Sequence, residues 1–221
     1  MASSSENLPL GRMVPPVPAG VEIPPEPPDV GARALSVAAR LLAGASTFFF
    51  LAFVFAYFYL RSLNVEHLWR PAHVKPDHAL GAAMIACVVI SALATIAAGR
   101  QLKSGSGRWL GPAIVGVVLG LAAVGLQSYE YTVQHFGPTD GAFASVFCTW
   151  TALYMIAVLC TMYWLETQVA TELRARRAPA PTEADIKEAD KLIAPGMDAA
   201  VFYWAFLAGI GVVTYVTLYL L

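Results

Sequence analysis

Apolar residues fill five long stretches of the chain, roughly 35–60, 79–99, 109–129, 142–165 and 199–221, with polar connections between them. A helix needs about 20 predominantly apolar residues to cross the hydrocarbon core of a bilayer. The pattern therefore predicts an all-α polytopic membrane protein, a bundle of five transmembrane helices. None of the five stretches carries a charge in its central part. Ionisable groups at membrane depth are expensive and mark ion or proton pathways, so this pattern argues against a pump or a proton relay.

Each stretch has its own character. The first is crowded with rings, Phe48, Phe49, Phe50, Phe53, Phe55, Tyr57, Phe58 and Tyr59, and Arg61 closes it at the interface. These rings surround the helix, so some must face lipid and others a protein neighbour. The second is rich in small residues, among them Ala82, Ala83 and Ala86. The third carries Gly116-x-x-x-Gly120. Lipid supplies no hydrophobic drive between helices, and small residues one turn apart let backbones approach closely. Gly116 and Gly120 are expected to face another helix. The fourth has a polar edge of Ser145, Thr149 and Thr151, with Tyr163 and Trp164 placed for an interfacial belt. In the last, Ala205, Ala208 and Gly209 are expected to form a close-packing face.

The connections predict two further elements. Residues 1–32 form a polar tail with a proline cluster, Pro15, Pro16, Pro18, Pro24, Pro25, Pro27 and Pro28. Such spacing favours extended polyproline conformation and opposes helix. A disordered tether and an arm laid over a neighbouring subunit both fit. The membrane domain then spans 33–221. In the fourth connection Thr182 is placed to cap a short helix over about 183–193, with Asp185 three residues on and Ile186, Ala189 and Ile193 at helical spacing. Pro195-Gly196 is expected to end it.

Composition agrees: 57% of residues are hydrophobic and 13% charged, against about 25% charged in soluble domains. With 221 residues the chain has room for one membrane domain and short tails. The net charge of −1 gives no indication of nucleic acid. The distribution of charge is more informative. Eleven Lys and Arg residues fall before helix 1 and in the second and fourth connections, against Arg61, Arg70 and Lys75 on the other side. The positive-inside rule then puts the N-terminus in the cytoplasm and the C-terminus outside, and a cell inner membrane is the expected location. The first 30 residues have neither the apolar core nor the basic start of a signal peptide.

Chemistry of its own is not expected from this chain. Cys87, Cys148 and Cys160 sit inside predicted helices without C-x-x-C spacing, which reads as packing rather than a disulfide or metal site. His67, His73, His78 and His135 lie in connections or at helix ends, and no two share a helix face. The histidine loop after helix 1 reads as solvated and structural. A bis-histidine haem or a copper site within the membrane is not expected. Glu130 and Glu166 read as solvated carboxylates at helix ends. Neither a phosphate loop nor a nucleophile–base pair is present.

Two segments carry a family resemblance: ASTFFFLAFVFAYFYLR at 45–61 and GLQSYEYTVQHFGPTDGAFASVFCTWTALYMIAVL at 125–159. Together they resemble subunit III of the haem-copper oxidases, in its shorter five-helix form. Gln127, Glu130 and Tyr131 match that family's Q-x-x-E-Y element. Phe147, Thr151 and Val158 match its F-x-x-T-G-x-H-x-x-H-V helix, and Tyr203-Trp204-Ala205-Phe206 is similar to its Y-W-H-F. The departures are polar. Thr47 follows Ser46 where the family's S-E-x-M-F-F has glutamate, and Tyr154 and Ala157 replace the two histidines. Ala205 and Ala208 replace a histidine and an aspartate of the last helix.

The resemblance implies an accessory, non-catalytic subunit of a respiratory terminal oxidase that reduces oxygen to water. Haem and copper would reside in the partner catalytic subunit I, against which this chain packs, and not in this chain. A bound phospholipid and an apolar path for oxygen would also follow. Gln127, Glu130, Tyr131, Tyr154 and Arg61 are the candidate structural or lipid-interface residues; Gly116, Gly120, Ala205 and Gly209 are the candidate packing residues. Glu130 is expected to be structural and not a proton carrier. The competing readings are an accessory subunit of nitric oxide reductase, a small transporter or channel, and a membrane enzyme with its own haem.

Overall fold

The computed structural model describes residues 29–64, 69–105, 107–177 and 182–221, so tail residues 1–28 and His67 lie outside the described residues. Among the described residues five α-helices follow one another: α1 Asp29–Ser62, α2 His78–Lys103, α3 Leu110–Val133, α4 Ala142–Arg176 and α5 Glu183–Tyr215. The last runs on as a π-helical turn over Val216–Leu220. All five are long and apolar enough to cross a membrane. The described connecting residues 63–64, 69–77 and 134–141 lie at one end of the bundle, the near end. Residues 104–105, 107–109, 177 and 182 lie at the far end, where α1 begins.

Packing follows the side-chain periodicities. Helix α3 buries Ala113, Gly116, Gly120, Ala123, Gln127 and Glu130, a single stripe of small residues that turns polar at its end. It lies against α2, whose buried positions include Ser91, Ala92, Thr95 and Ala98. Ala82, Ala83 and Ala86 of α2 face outward instead. Helices α4 and α5 close the other side with large residues, Phe143, Phe147, Trp150, Tyr154, Trp204 and Leu207 among them. Helix α1 is the outermost. It buries one stripe of its face, at Ala39, Ala43, Phe50 and Tyr57, while Phe48 is 78% exposed and Phe55 and Tyr59 point away from the bundle.

The near end is sealed by rings. Trp69 is buried and meets Tyr57 and Phe143 edge-on at 5.2 and 5.7 Å. Its carbonyl accepts the N–H of Phe143 at 3.1 Å. Arg70 lies over the Phe143 ring at 4.5 Å and its Nε donates to the Val74 carbonyl at 2.9 Å. The part of the α1–α2 connection that holds Trp69 and Val74 is thus folded into the core and is not the solvated loop the sequence suggests.

Three boundaries differ from the sequence reading. Helix α1 begins at Asp29, within the span read as tail, immediately after the proline cluster ends at Pro28. Helix α4 continues past 165 to Arg176, which leaves Glu166 mid-helix on an exposed face. At 1.5 Å per residue its 35 residues measure about 52 Å, well beyond a hydrocarbon core of about 30 Å. Residues 183–193 and the last apolar stretch form a single helix that runs through Pro195 and Gly196. Thr182 does cap it: its hydroxyl accepts the Asp185 N–H while the Asp185 carboxylate accepts the Thr182 N–H.

Tertiary packing explains why Pro195 does not stop α5. Ile193, Gly196, Met197, Ala199 and Ala200 are all buried around it. A Cβ at Gly196 would come within 2.7 Å of the Gln168 amide oxygen on α4. Trp109 Nε1 donates to Asp190 at 2.9 Å, and Lys103 pairs with Asp198 at 2.6 Å. These contacts fix the helix direction on both sides of the proline. The far ends of α4 and α5 therefore stand as a helical hairpin. Buried Glu172 holds Arg176 at 2.6 Å, and Arg176 reaches the Gly107 carbonyl at 2.8 Å.

Candidate functional site

Between the helices runs a seam of polar groups, several of them bonded from one helix to another. Its central member is Ser91 of α2. The Ser91 hydroxyl donates to the Gly116 carbonyl of α3 at 2.5 Å and accepts from Trp204 Nε1 of α5 at 3.1 Å. Three helices meet there because Gly116 has no side chain: a Cβ would collide with Thr95 Cγ2 and lie 3.2 Å from the Ser91 carbonyl. Gly120 plays the same part toward α4, where a Cβ would strike Met162. Both glycines thus face neighbouring helices, Gly116 toward α2 and Gly120 toward α4.

The last helix divides differently. Ala205 is half-buried, whereas Gly209 is exposed and a Cβ there would meet nothing within 4 Å. Gly209 is therefore not a packing residue of this bundle. Gly211 holds that role, since a Cβ would meet the Tyr154 hydroxyl. Helical rotation decides this: positions 204, 207, 208 and 211 point inward, which turns 209 away. Tyr154 is buried, and its hydroxyl donates to the Leu207 carbonyl at 3.2 Å.

The Q-x-x-E-Y element lies at the near end of α3. Glu130 is only 2% exposed. Its Oε2 accepts from Gln127 Nε2 at 3.0 Å and from the Tyr219 hydroxyl at 2.6 Å. This overturns the solvated carboxylate of the sequence reading. Although Glu130 ends the apolar stretch, the π-helical turn carries Tyr219 over it, and Gly81 of α2 makes room for the Tyr219 ring. Tyr131 points the other way. Thr151 donates to its own helix at the Phe147 carbonyl, which leaves its oxygen to accept from Tyr131 at 2.6 Å. Arg61 stands apart, exposed at the end of α1, with Nη1 3.4 Å from the Tyr57 hydroxyl. Tyr219, Ser91 and Trp204 were missed as members of this seam. The one signal for Tyr219 was a tyrosine among aliphatics in the final turn.

Where the sequence departs from the resembled pattern, the replacements make local bonds. Thr47 donates to the Ala43 carbonyl of its own helix at 2.8 Å. Ser46 and the Tyr203 hydroxyl lie 3.0 Å apart and join α1 to α5. Ala157 lines an open cavity of about 320 Å³ with Ala45, Phe49, Phe50 and Tyr203. Cys87 and Cys148 are half-buried free thiols, while Cys160 is exposed on α4 and does not pack in this bundle.

Five apolar helices joined by interhelical hydrogen bonds define a multi-pass α-helical membrane protein. The family model for cytochrome c oxidase subunit III matches residues 31–221, and the chain belongs to that family. It is thereby a subunit of an oxidase complex. No individual curated protein matches it in sequence.

Proposed function

We propose that this chain is a non-catalytic accessory subunit of a respiratory haem-copper oxidase, seated against the catalytic subunit I that carries the haem and copper. The family match across 31–221 carries the reading. The bundle supports it. Buried polar side chains join one helix to another at Ser91, Thr151 and Tyr154. Interhelical hydrogen bonds of this kind contribute about 0.6 kcal/mol each on average in a membrane, so together they favour one rigid arrangement. On this reading the chain holds no haem or copper of its own.

Phospholipid is the second ligand of the proposal. The cavity between α1, α4 and α5 is bounded by Phe49, Phe50, Leu153 and Ala157, with Ser46 and Tyr203 as its polar members. That lining suits an acyl chain, and an apolar passage also suits oxygen, which partitions into hydrocarbon. Basic residues concentrate at the far end, and by the positive-inside rule this supports a reading in which that end and the N-terminus lie in the cytoplasm and the chain sits in a cell inner membrane.

Purification of the native complex through a tag on this chain, followed by mass spectrometry, tests the proposal. A haem-copper oxidase subunit I in equal amount is the expected result. Recovery of nitric oxide reductase subunits instead, or of no haem protein, overturns it.

A further inference from the structure

At the near end, a cavity of about 380 Å³ opens between the α1–α2 connection and the end of α3. It is lined by His73, Lys75, Asp77, Glu130, Gln134 and His135. Two of its members hold buried oxygen atoms without a hydrogen-bond partner, Glu130 Oε1 and Gln134 Oε1. They sit one turn apart on the same helix end. A buried acceptor without a donor costs about 1–3 kcal/mol, and more when charged. The donors that this chain brings to Glu130, Gln127 Nε2 and the Tyr219 hydroxyl, both go to Oε2. The backbone N–H of Asp77 also turns toward the carboxyl, yet Oε1 remains without a bond.

We propose that this vestibule receives a cationic side chain, Lys or Arg, from a neighbouring subunit of the oxidase complex. The chemistry asks for a donor: two acceptor oxygens are left over. Charge agrees, because Asp77 and Glu130 are opposed only by Lys75 when both histidines are neutral. A metal ion fits less well, since no group of three or more His, Cys, Asp or Glu among the described residues is arranged to hold one. Guanidinium and ammonium groups carry several N–H donors and no acceptor. The carboxylate is already oriented by Gln127 and Tyr219, so little order is lost on docking. The inference rests on the chain standing beside another subunit, whichever catalytic subunit that is.

A cryo-electron microscopy map of the intact complex tests this directly. The expected result is a Lys or Arg nitrogen of another chain within about 3.2 Å of Glu130 Oε1 or Gln134 Oε1. Water or an ion alone in the cavity, or the Lys75 ammonium folded into it, overturns the proposal. A second arm uses complexes captured through the neighbouring subunit. Gln134→Leu leaves the Glu130–Tyr219 bond in place and removes one acceptor. Together with Glu130→Gln it should speed release of this chain in mild detergent at least about tenfold, because truncating one side of a buried charge pair acts on dissociation. Lys75→Met should release no faster than wild type. Release equal to wild type in Gln134→Leu and Glu130→Gln, or fast release in Lys75→Met, counts against an inserted cation. If no haem-copper subunit is recovered but the vestibule is filled by another partner's Lys or Arg, the proposed function fails and this inference stands.

Discussion

Gly116 shows how one absent side chain organises three helices. Its bare Cα lets α2 approach until Ser91 reaches the Gly116 carbonyl, and that position in turn presents the Ser91 oxygen to Trp204. Gly125 on the same helix has nothing within 4 Å of a built Cβ. The two positions therefore predict opposite outcomes for one chemical change. Gly116→Ala pushes against Thr95 and the Ser91 backbone and should destabilise the bundle by about 1–3 kcal/mol, the range for overpacking. Gly125→Ala should leave stability unchanged or raise it by up to about 1 kcal/mol, through helix propensity alone. Thermal unfolding of the two variants in the same detergent measures the difference. Equal midpoints would show that Gly116 is not a close-contact position.

At the scale of an element, α5 sets local propensity against packing. Proline in a helix interior removes one hydrogen bond and crowds the preceding turn, at a cost of about 3 kcal/mol. Around Pro195 that cost is offset by the buried run from Ile193 to Ala200 and by the polar ties Trp109–Asp190 and Lys103–Asp198. The exposed Lys103–Asp198 pair contributes little of this. Pro195→Ala should keep α5 continuous and raise the unfolding midpoint, with a gain of up to about 3 kcal/mol. A lower midpoint would mean that the proline itself shapes the contact with α4.

The whole molecule is a bundle whose polar groups look inward at one another and whose outer surface is largely apolar, with α1 contributing most of the exposed rings. Such an arrangement holds its own shape and offers broad faces to lipid and to other subunits. If the cofactors belong to the partner, the purified chain should show no Soret absorption and contain no copper by elemental analysis, while the intact complex shows both. A stoichiometric Soret band in the isolated chain would make it a haem protein in its own right.

Much of this architecture was legible in the hydrophobic pattern, because a bilayer imposes a simple rule: an apolar run of sufficient length has to be helical to satisfy its backbone. That rule alone yields five helices and their order. The small-residue spacing of Gly116 and Gly120 carried their packing role, and the Thr182–Asp185 spacing carried the cap of α5. Helix ends outside the membrane were less legible. Hydropathy stops at 165, but α4 runs on to Arg176 because its far end is packed: Gln168 lies against Gly196 of α5, and Val169 and Glu172 are buried. The break expected at Pro195 failed for the same reason, since propensity is local and packing is not. Glu130 was placed at a helix end but not beneath Tyr219, and His73 and His135, which share no helix, meet at one cavity. Gly209 and Gly211 are two residues apart and only the second packs. Apolar length and small-residue spacing are properties of a segment, so the sequence determined them by itself. Which face of a helix turns inward, and which distant side chain completes a hydrogen bond, depends on where the other helices stand, and only the tertiary structure decided it.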